Sequence, residues 1–306
     1  MNNEIFDTAI IGAGPCGIGA AEALISEHKN IILIEKETPG GKINIAPRVD
    51  NYPRHHEVPG PELAMEFYQR ILDKNIPFVG DEIVSLNKEG DLFVLIGKVN
   101  KYVAKSVLVA SGTKERELGL PKEKELFAHG ISYCAVCDGH FFKGQDVLVI
   151  GGGNTALKEA IHLSNIANKV YLIHRRNQFR GTVKLVDELK NKENVEILTP
   201  YVPIELIGEE KLEAVKIKNV ETEEIKEIKV QGCFPLVGQI PNSQFINFEG
   251  VKNEGGNIPV DRQMKTSVEG LFAGGDILPR DIRQIYLAEH DGMVAAKNII
   301  EYLKDK

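Results

Sequence analysis

Residues Thr8–Leu24 read TAIIGAGPCGIGAAEAL, and 139 positions on (147 − 8) residues Val147–Leu163 read VLVIGGGNTALKEAIHL. At this offset Ile11 falls on Ile150, Gly12 on Gly151, Gly14 on Gly153, Gly17 on Ala156 and Leu24 on Leu163. The correspondence runs on into a second apolar stretch, where Ile31–Ile34 falls on Val170–Ile173. A strand, a glycine turn, a helix with apolar spacing and a second strand are thus repeated in register. This is the dinucleotide-binding βαβ fingerprint. Its first glycine permits the tight turn and its second lets backbone approach a pyrophosphate. The third position, Gly17 or Ala156, packs helix against strand. The helix N-terminus adds free N–H groups and a positive dipole end. One glycine-rich turn can arise by chance; two, each followed by a strand at the same distance, argue against chance.

The two copies differ where the second strand ends. The first ends at Glu35, whose carboxylate suits a ribose 2′-hydroxyl and repels a 2′-phosphate. The matching position in the second is His174, followed by Arg175 and Arg176, with Arg180 shortly after. Arginines there suit a 2′-phosphate through charge-assisted, bidentate hydrogen bonds. One copy therefore reads as a site for a plain adenosine ribose, as in FAD, and the other as a site for NADP.

A chain of 306 residues suggests two domains at roughly 150 residues each. Two further strand-and-turn segments, Ser106–Thr113 (SVLVASGT) and Leu271–Asp276 (LFAGGD), flank the second copy. The expected fold is α/β with two Rossmann-like domains. An FAD domain, residues 1–113 and 245–306, is interrupted by an inserted NADPH domain, residues 114–244. Thr113–Glu117 and Gly238–Phe245 are the candidate junctions, the latter carrying the turn pair Pro241-Asn242. A formal net charge of −7 argues against a nucleic-acid binder, which would carry a basic face. The Lys/Glu mixture over 184–230 reads as solvated surface. The first apolar run, Thr8–Ile11, follows Glu4 and Asp7 and is too short and acidic for a signal or membrane span. Four cysteines are too few for a disulfide scaffold of this length, which points to the cytoplasm.

Cys134-Ala-Val-Cys137-Asp138-Gly139 lies just before the second nucleotide strand. A C-x-x-C pair can close a small disulfide and present a stabilised thiolate. Asp138 reads equally as a proton shuttle to that thiolate or as half of an Asp-Gly turn. Metal is the weaker alternative for the pair. Cys134, Cys137 and His140 stand at i, i+3 and i+6, and His129 is near. Structural zinc, however, takes four ligands, usually as two separated pairs. Cys16, in a nucleotide loop, and Cys233, in a strand-like segment, supply no second pair; both read as buried small side chains. No metal site is expected.

Other segments join this set: SYCAVCDGHFF at 132–142, GGGNTA at 151–156 with HRRNQFR at 174–180, Gly40-Gly41, Asn51-Tyr52-Pro53 and Gly60-Pro61-Glu62-Leu63. Gly274-Gly275-Asp276 and Arg283-Gln284-Ile285, followed by Asp291-Gly292 and Ala295-Ala296, complete it. From about Thr8 to Ala296 the chain resembles the low-molecular-weight thioredoxin reductases. The resemblance implies that Gly12, Gly14, Gly17, Glu35, Gly41, Lys42, Asn51, Asp276, Arg283, Gln284 and Ile285 surround FAD. It implies that Gly153, Ala156, Arg175, Arg176 and Arg180 bind NADPH, and that Cys134 and Cys137 are the redox pair with Asp138 as acid/base. It further implies a homodimer, a thioredoxin or thioredoxin-like partner, and an inserted domain that rotates between two docked states. Lys42 stands where Gln is usual, Arg54-His55-His56-Glu57 replaces a glycine-rich turn, and His140 takes a place more often aromatic or small. Three other functions share the fold or its parts. They are a reductase for ferredoxin or flavodoxin, generally without the cysteine pair, an oxidase of a small dithiol, and a redox sensor with zinc-bound cysteines.

Overall fold

The computed structural model describes residues 4–306 apart from Pro47, Asp50, Arg54, His56 and Asp281. Arg54 and His56 of the altered turn therefore lie outside the described residues. The chain divides into two units, Met1–Lys114 with Ile240–Lys306, and Glu115–Gln239.

The first unit begins with β1 (Ile5–Ile11), α1 (Pro15–Ser26) and β2 (Ile31–Glu35). Then come α2 (Gly60–Asp73), β3 (Phe78–Gly80), the hairpin β4 (Ile83–Glu89) and β5 (Leu92–Gly97), β6 (Lys101–Val109) and the short β7 (Thr113–Glu115). The sheet order is β3-β2-β1-β6-β5-β4, with β1, β2, β3 and β6 parallel and the hairpin antiparallel. Successive strand side chains point to opposite faces, and here both faces are buried, so the strands read as unbroken apolar runs. Ile10, Leu33 and Leu108 pack against α1 and α2, while Ala9, Ile11, Ile34, Val107 and Val109 pack against Ile83, Leu86 and Leu95 of the hairpin.

The second unit holds the short α3 (Ala135–Asp138), β8 (Asp146–Ile150), α4 (Asn154–Ser164), β9 (Lys169–Ile173), α5 (Val183–Lys190) and β10 (Val195–Leu198). β11 (Tyr201–Ile207), β12 (Ala214–Asn219), β13 (Ile225–Lys229) and β14 (Gly232–Pro235) follow. β10-β9-β8-β14 form a parallel sheet, and β11-β12-β13 an antiparallel one. Val147, Val149, Val170, Leu172 and Phe234 pack against α4 and α5; Leu148, Ile150, Ile173 and Cys233 pack against the inner face of the antiparallel sheet. The Lys/Glu-rich stretch over 184–230 spans α5, β10 and the antiparallel sheet, where it forms cross-strand pairs such as Lys216–Glu205 at 2.7 Å but also buries Val215, Ile217 and Ile228.

The chain returns through β15 (Gln239–Pro241), which pairs with β7 as a two-stranded ribbon at the crossing. β16 (Leu271–Ala273) then pairs with the C-terminal half of β6, whose N-terminal half pairs with β5. The last helix, α6 (Ile285–Leu303), buries Ala288, Ala295, Ala296 and Ile299 against the α1 side of the first sheet.

One polar lock joins α1, α2 and α6. Arg70 Nε donates to Glu22 Oε1 at 2.9 Å, and Arg70 Nη2 donates both to Glu22 Oε2 and, at 2.6 Å, to Glu289 Oε1. The Tyr52 hydroxyl donates to Glu289 Oε2 at 2.8 Å, and the guanidinium lies 4.7 Å from the Phe67 ring centroid. Burial works against the arginine's charge, but the two carboxylates outweigh it and hold its pKa above the ordinary value. Removing the cation leaves two carboxylates facing each other. Losing one partner of a fully buried pair costs about 3–5 kcal/mol. The Arg70 side chain retains 29% exposure, so the lower figure is the ceiling. Arg70→Leu is expected to destabilise the first unit by about 2 kcal/mol and lower the thermal midpoint by roughly 5 °C. A midpoint within a degree of the parent's in differential scanning calorimetry would show that the lock contributes nothing.

Candidate functional site

The sequence repeat is also a repeat of hydrogen bonds. Gly12 N donates to Ile34 O at 2.8 Å, and Gly151 N donates to Ile173 O at 3.0 Å, with donors and acceptors both 139 residues apart (151 − 12, 173 − 34). Ile18 N to Gly14 O and Leu157 N to Gly153 O repeat it at 3.0 and 3.1 Å. Gly12 has φ +107°, open to glycine alone at low cost, and a Cβ there would lie 2.4 Å from Ala110 O. On Gly17 a Cβ would lie 1.8 Å from Gly12 O. Gly14 and Gly153 are different: a Cβ on either would meet nothing within 4 Å. The outer positions are small because the fold fills the space, whereas the middle ones face open space at a helix N-terminus. That is the cradle a pyrophosphate needs.

In the first unit, Glu35 ends β2 and accepts from Ala13 N at 2.8 Å and Glu37 N at 2.9 Å, so its carboxylate is held against the glycine turn. Gly41 lies beside Gly14, a Cβ on it reaching within 3.4 Å of Gly14 Cα. Lys42 Nζ donates to Thr113 Oγ1 at 2.9 Å and stands 3.9 Å from Asp276 Oδ2. Arg283 Nε donates to the carbonyl of Asp276 at 3.3 Å. Asn51 Nδ2 donates to Gln284 Oε1 at 2.8 Å, and Gln284 directly precedes α6, which Ile285 opens. The eleven residues expected around FAD thus fall into three contacting groups: the turn with Glu35 and Gly41, the Lys42–Asp276–Arg283 group, and Asn51 with Gln284 and Ile285. Two residues beyond them organise this end. Asp291 Oδ2 accepts from Gly275 N at 2.9 Å and from Arg280 Nη2 at 2.6 Å, fixing the turn that carries Asp276. Cys16 is a buried free thiol in the first turn, and Cys233 one in β14. Burial pushes both well above the ordinary thiol range.

In the second unit, Ala156 is fully buried beneath the turn. Arg175, Arg176 and Arg180 are all exposed at the end of β9, and among the described residues none is paired with a carboxylate. The loop that carries them is tied back to the turn, because Arg180 N donates to Gly152 O at 2.8 Å. His174 is buried, with its ring stacked on Phe179 at 5.4 Å. Burial and the neighbouring arginines lower its pKa, so the end of the strand carries only the arginine charges at neutral pH.

Cys134 and Cys137 form a disulfide, with 2.07 Å between sulfurs. Nearly every residue of the surrounding turn is held. Ser132 N donates to Cys233 O at 3.0 Å. Ser132 Oγ accepts from Cys134 N at 3.1 Å and donates to Asp138 Oδ2 at 2.5 Å. The Tyr133 hydroxyl donates at 2.8 Å to Glu123 Oε1, and Glu123 is itself fixed by Leu118 N and Gly119 N, both at 2.8 Å. Ala135 N donates to Glu159 Oε2 at 2.6 Å, and Cys137 N donates to Cys134 Sγ at 3.2 Å. Asp138 is buried, and Asp138-Gly139 makes no turn: Gly139 is helical at φ −58° and α3 runs on into a 3₁₀ turn. The His140 ring packs 4.0 Å from that of Phe141. Ser132, Glu123 and Glu159 went unread in the sequence. Ser132, only six residues from Asp138, was the one within reach of a local pattern.

The chain matches the family described as pyridine nucleotide-disulphide oxidoreductase over residues 6–292. A thioredoxin reductase of Ureaplasma parvum is 38% identical over 307 residues, 99% of this chain and 98% of that one. The crystal structure of thioredoxin reductase from Streptococcus pyogenes covers both chains fully, at 36% identity and a TM-score of 0.92. A ferredoxin-flavin thioredoxin reductase from Clostridium acetobutylicum is 30% identical over 99% of this chain and 98% of its own, with a TM-score of 0.55. These likenesses bring FAD and NADPH as cofactors, and the two cradles fit a dinucleotide each. The chain belongs to the pyridine nucleotide-disulphide oxidoreductase family, among its thioredoxin reductases.

Proposed function

We propose that this chain is a thioredoxin-disulfide reductase whose exchanging groups are Cys134 and Cys137. The observation that carries the reading is the disulfide held in a rigid turn of the same unit that bears the second nucleotide cradle and its arginines. When bound, FAD supplies the two-electron relay between the hydride of NADPH and that disulfide. We assign FAD to the first unit, at Gly12, Gly14, Gly17, Glu35, Gly41, Lys42, Asn51, Asp276, Arg283, Gln284 and Ile285. NADPH falls to the second, at Gly153, Ala156, Arg175, Arg176 and Arg180.

Exchange with the partner follows from the pair's chemistry. One thiolate attacks the partner disulfide, forming a mixed disulfide and releasing one partner thiolate. The second cysteine then attacks the mixed disulfide, restoring Cys134–Cys137 and freeing the second partner sulfur. We assign the acid/base role to Asp138, which follows Cys137 directly and whose carboxyl is buried and hydrogen-bonded to Ser132. The acceptor we assign is a thioredoxin or thioredoxin-like protein. The ferredoxin-flavin relative is itself named a thioredoxin reductase, and the cysteine pair of this chain supports the same acceptor. What favours NADPH as donor is the unpaired arginine set at the end of β9.

We assign the homodimer on exposed apolar side chains: Ile282 at 60%, and Tyr286 and Met293, one face of α6 apart by seven residues, at 43% and 50%. Sedimentation velocity at micromolar concentration is expected to give twice the chain mass; a single-chain mass would remove the dimer. The cytoplasm suits a chain whose Cys16 and Cys233 stay free while only the redox pair is bridged.

Replacing Cys134 or Cys137 by Ser is expected to abolish reduction of the partner protein while leaving flavin bleaching by NADPH intact. Undiminished turnover in both variants would overturn the mechanism. NADPH is expected to be preferred over NADH, with the preference lost in an Arg175→Ala, Arg176→Ala, Arg180→Ala triple variant. Hydrogen bonds to charged groups are worth about 1.5–3 kcal/mol each, so two or three give a preference on the order of a hundredfold or more in kcat/KM. Equal efficiency with both nicotinamides in the parent would refute the assignment.

A further inference from the structure

α4 serves two sites. Its first residues follow Gly153 out of the nucleotide cradle, and its second half packs on the redox turn. A Cβ on Gly139 would meet the Leu163 side chain at 3.0 Å and those of His162 and Ile166 at 3.7 Å. One turn before His162, Glu159 Oε2 accepts from Ala135 N at 2.6 Å. Ala135 follows Cys134 directly and is fully buried, so this carboxylate stands one peptide group from the reducible cysteine.

We propose that Glu159 is a positioning residue for the redox pair: it fixes Ala135 and, when the disulfide is reduced, takes up a proton so that less negative charge gathers beside the new thiolate. This rests on the reading of Cys134–Cys137 as the exchanging pair. Reduction adds two electrons from NADPH by way of the bound flavin, breaks the S–S bond and leaves two sulfurs that require two protons between them. A thiolate that stays unprotonated adds a negative charge to a turn already holding Asp138 from α3, Glu115 from β7 and Glu159 from α4. The other titratable neighbours on α4 are His162, whose pKa burial lowers so that it offers little positive charge, and Lys158. Burial above all, then Glu115 and Asp138, push the Glu159 carboxyl up to about 7, although the Ala135 N–H favours its charged form. A carboxyl so placed changes charge within the working pH range, in step with the sulfurs.

The test uses the FAD-loaded, full-length protein. It is reduced anaerobically with dithiothreitol, desalted, and alkylated with iodoacetamide from pH 5 to pH 10. Glu159→Gln keeps the shape and the acceptor oxygen but removes the charge. Below about pH 7 the parent's Glu159 holds its proton and the two profiles are expected to coincide. Above it the parent regains the charge, so the variant's thiol midpoint is expected to lie lower by about one pH unit, with up to roughly tenfold faster alkylation in that range. Glu159→Asp restores the charge and is expected to return the midpoint towards the parent's. Superimposable profiles for Glu159→Gln and the parent would overturn the proposal. A second readout needs no variant: in protein labelled at glutamate carboxyl carbons, Glu159 of the oxidised parent is expected to titrate near neutrality. Titration in the ordinary carboxylate range would overturn the proposal as surely. Neither experiment uses NADPH or a partner protein. A parent that fails to turn over but shows the Glu159→Gln shift would refute the function and leave this inference standing.

Discussion

A carbonyl one residue past the end of the neighbouring strand occupies the space that a side chain would need at the first glycine of each nucleotide turn. It is Ala110 O against Gly12, where a Cβ would come within 2.4 Å, and Leu236 O against Gly151, at 2.5 Å. Close packing of backbone on backbone brings the strand ends and the helix N-terminus to one point. From that point the next glycine, Gly14 or Gly153, faces open space. The cradle is thus a consequence of how tightly its surroundings are packed. A second contact ties the end of the next strand to the same turn, Gly12 N donating to Ile34 O and Gly151 N to Ile173 O, just before Glu35 and His174.

The second unit adds a constraint of another kind. A disulfide that opens and closes must keep its sulfurs within bonding reach in both states. The turn from Ser132 to Asp138 is therefore held from outside: by Cys233 O behind it, by Glu123 through Tyr133, and by Glu159 through Ala135. Two of these anchors are carboxylates, and Asp138 is a third. Rigidity is thereby obtained with negative charge, in a place where reduction produces more of it. The opposing effects of burial, which favours neutral acids, and of backbone N–H donors, which favour carboxylates, decide where the protons rest.

The parts of this structure legible in the sequence are those set by short-range rules. Glycine spacing and strand periodicity disclosed both βαβ units, and the constant offset between them reappears in their hydrogen bonds. The Glu35–His174 contrast and the cysteine pair were legible because they sit at fixed positions in those units. Tertiary packing hid the rest. The Lys/Glu stretch reads as surface because β12 and β13 show only alternate residues to the core, and Val215, Ile217 and Ile228 are diluted among charges. Asp138-Gly139 carries a turn signal, but packing of Gly139 against α4 keeps it helical. Glu159 could not be distinguished from an ordinary helix-surface glutamate, since its partner lies 24 residues earlier in the chain. The lock of Glu22, Arg70 and Glu289 spans three helices and leaves no local trace.

The central claim is that electrons from NADPH reach the Cys134–Cys137 disulfide. Anaerobic titration of the FAD-loaded protein with NADPH, with free thiols counted at each addition, tests it most directly. Flavin and disulfide are both two-electron centres, so the account predicts uptake of about two equivalents of NADPH per chain, with two new thiols appearing that the Cys134→Ser variant does not yield. Full bleaching at about one equivalent, with no thiols formed on further addition, would contradict it.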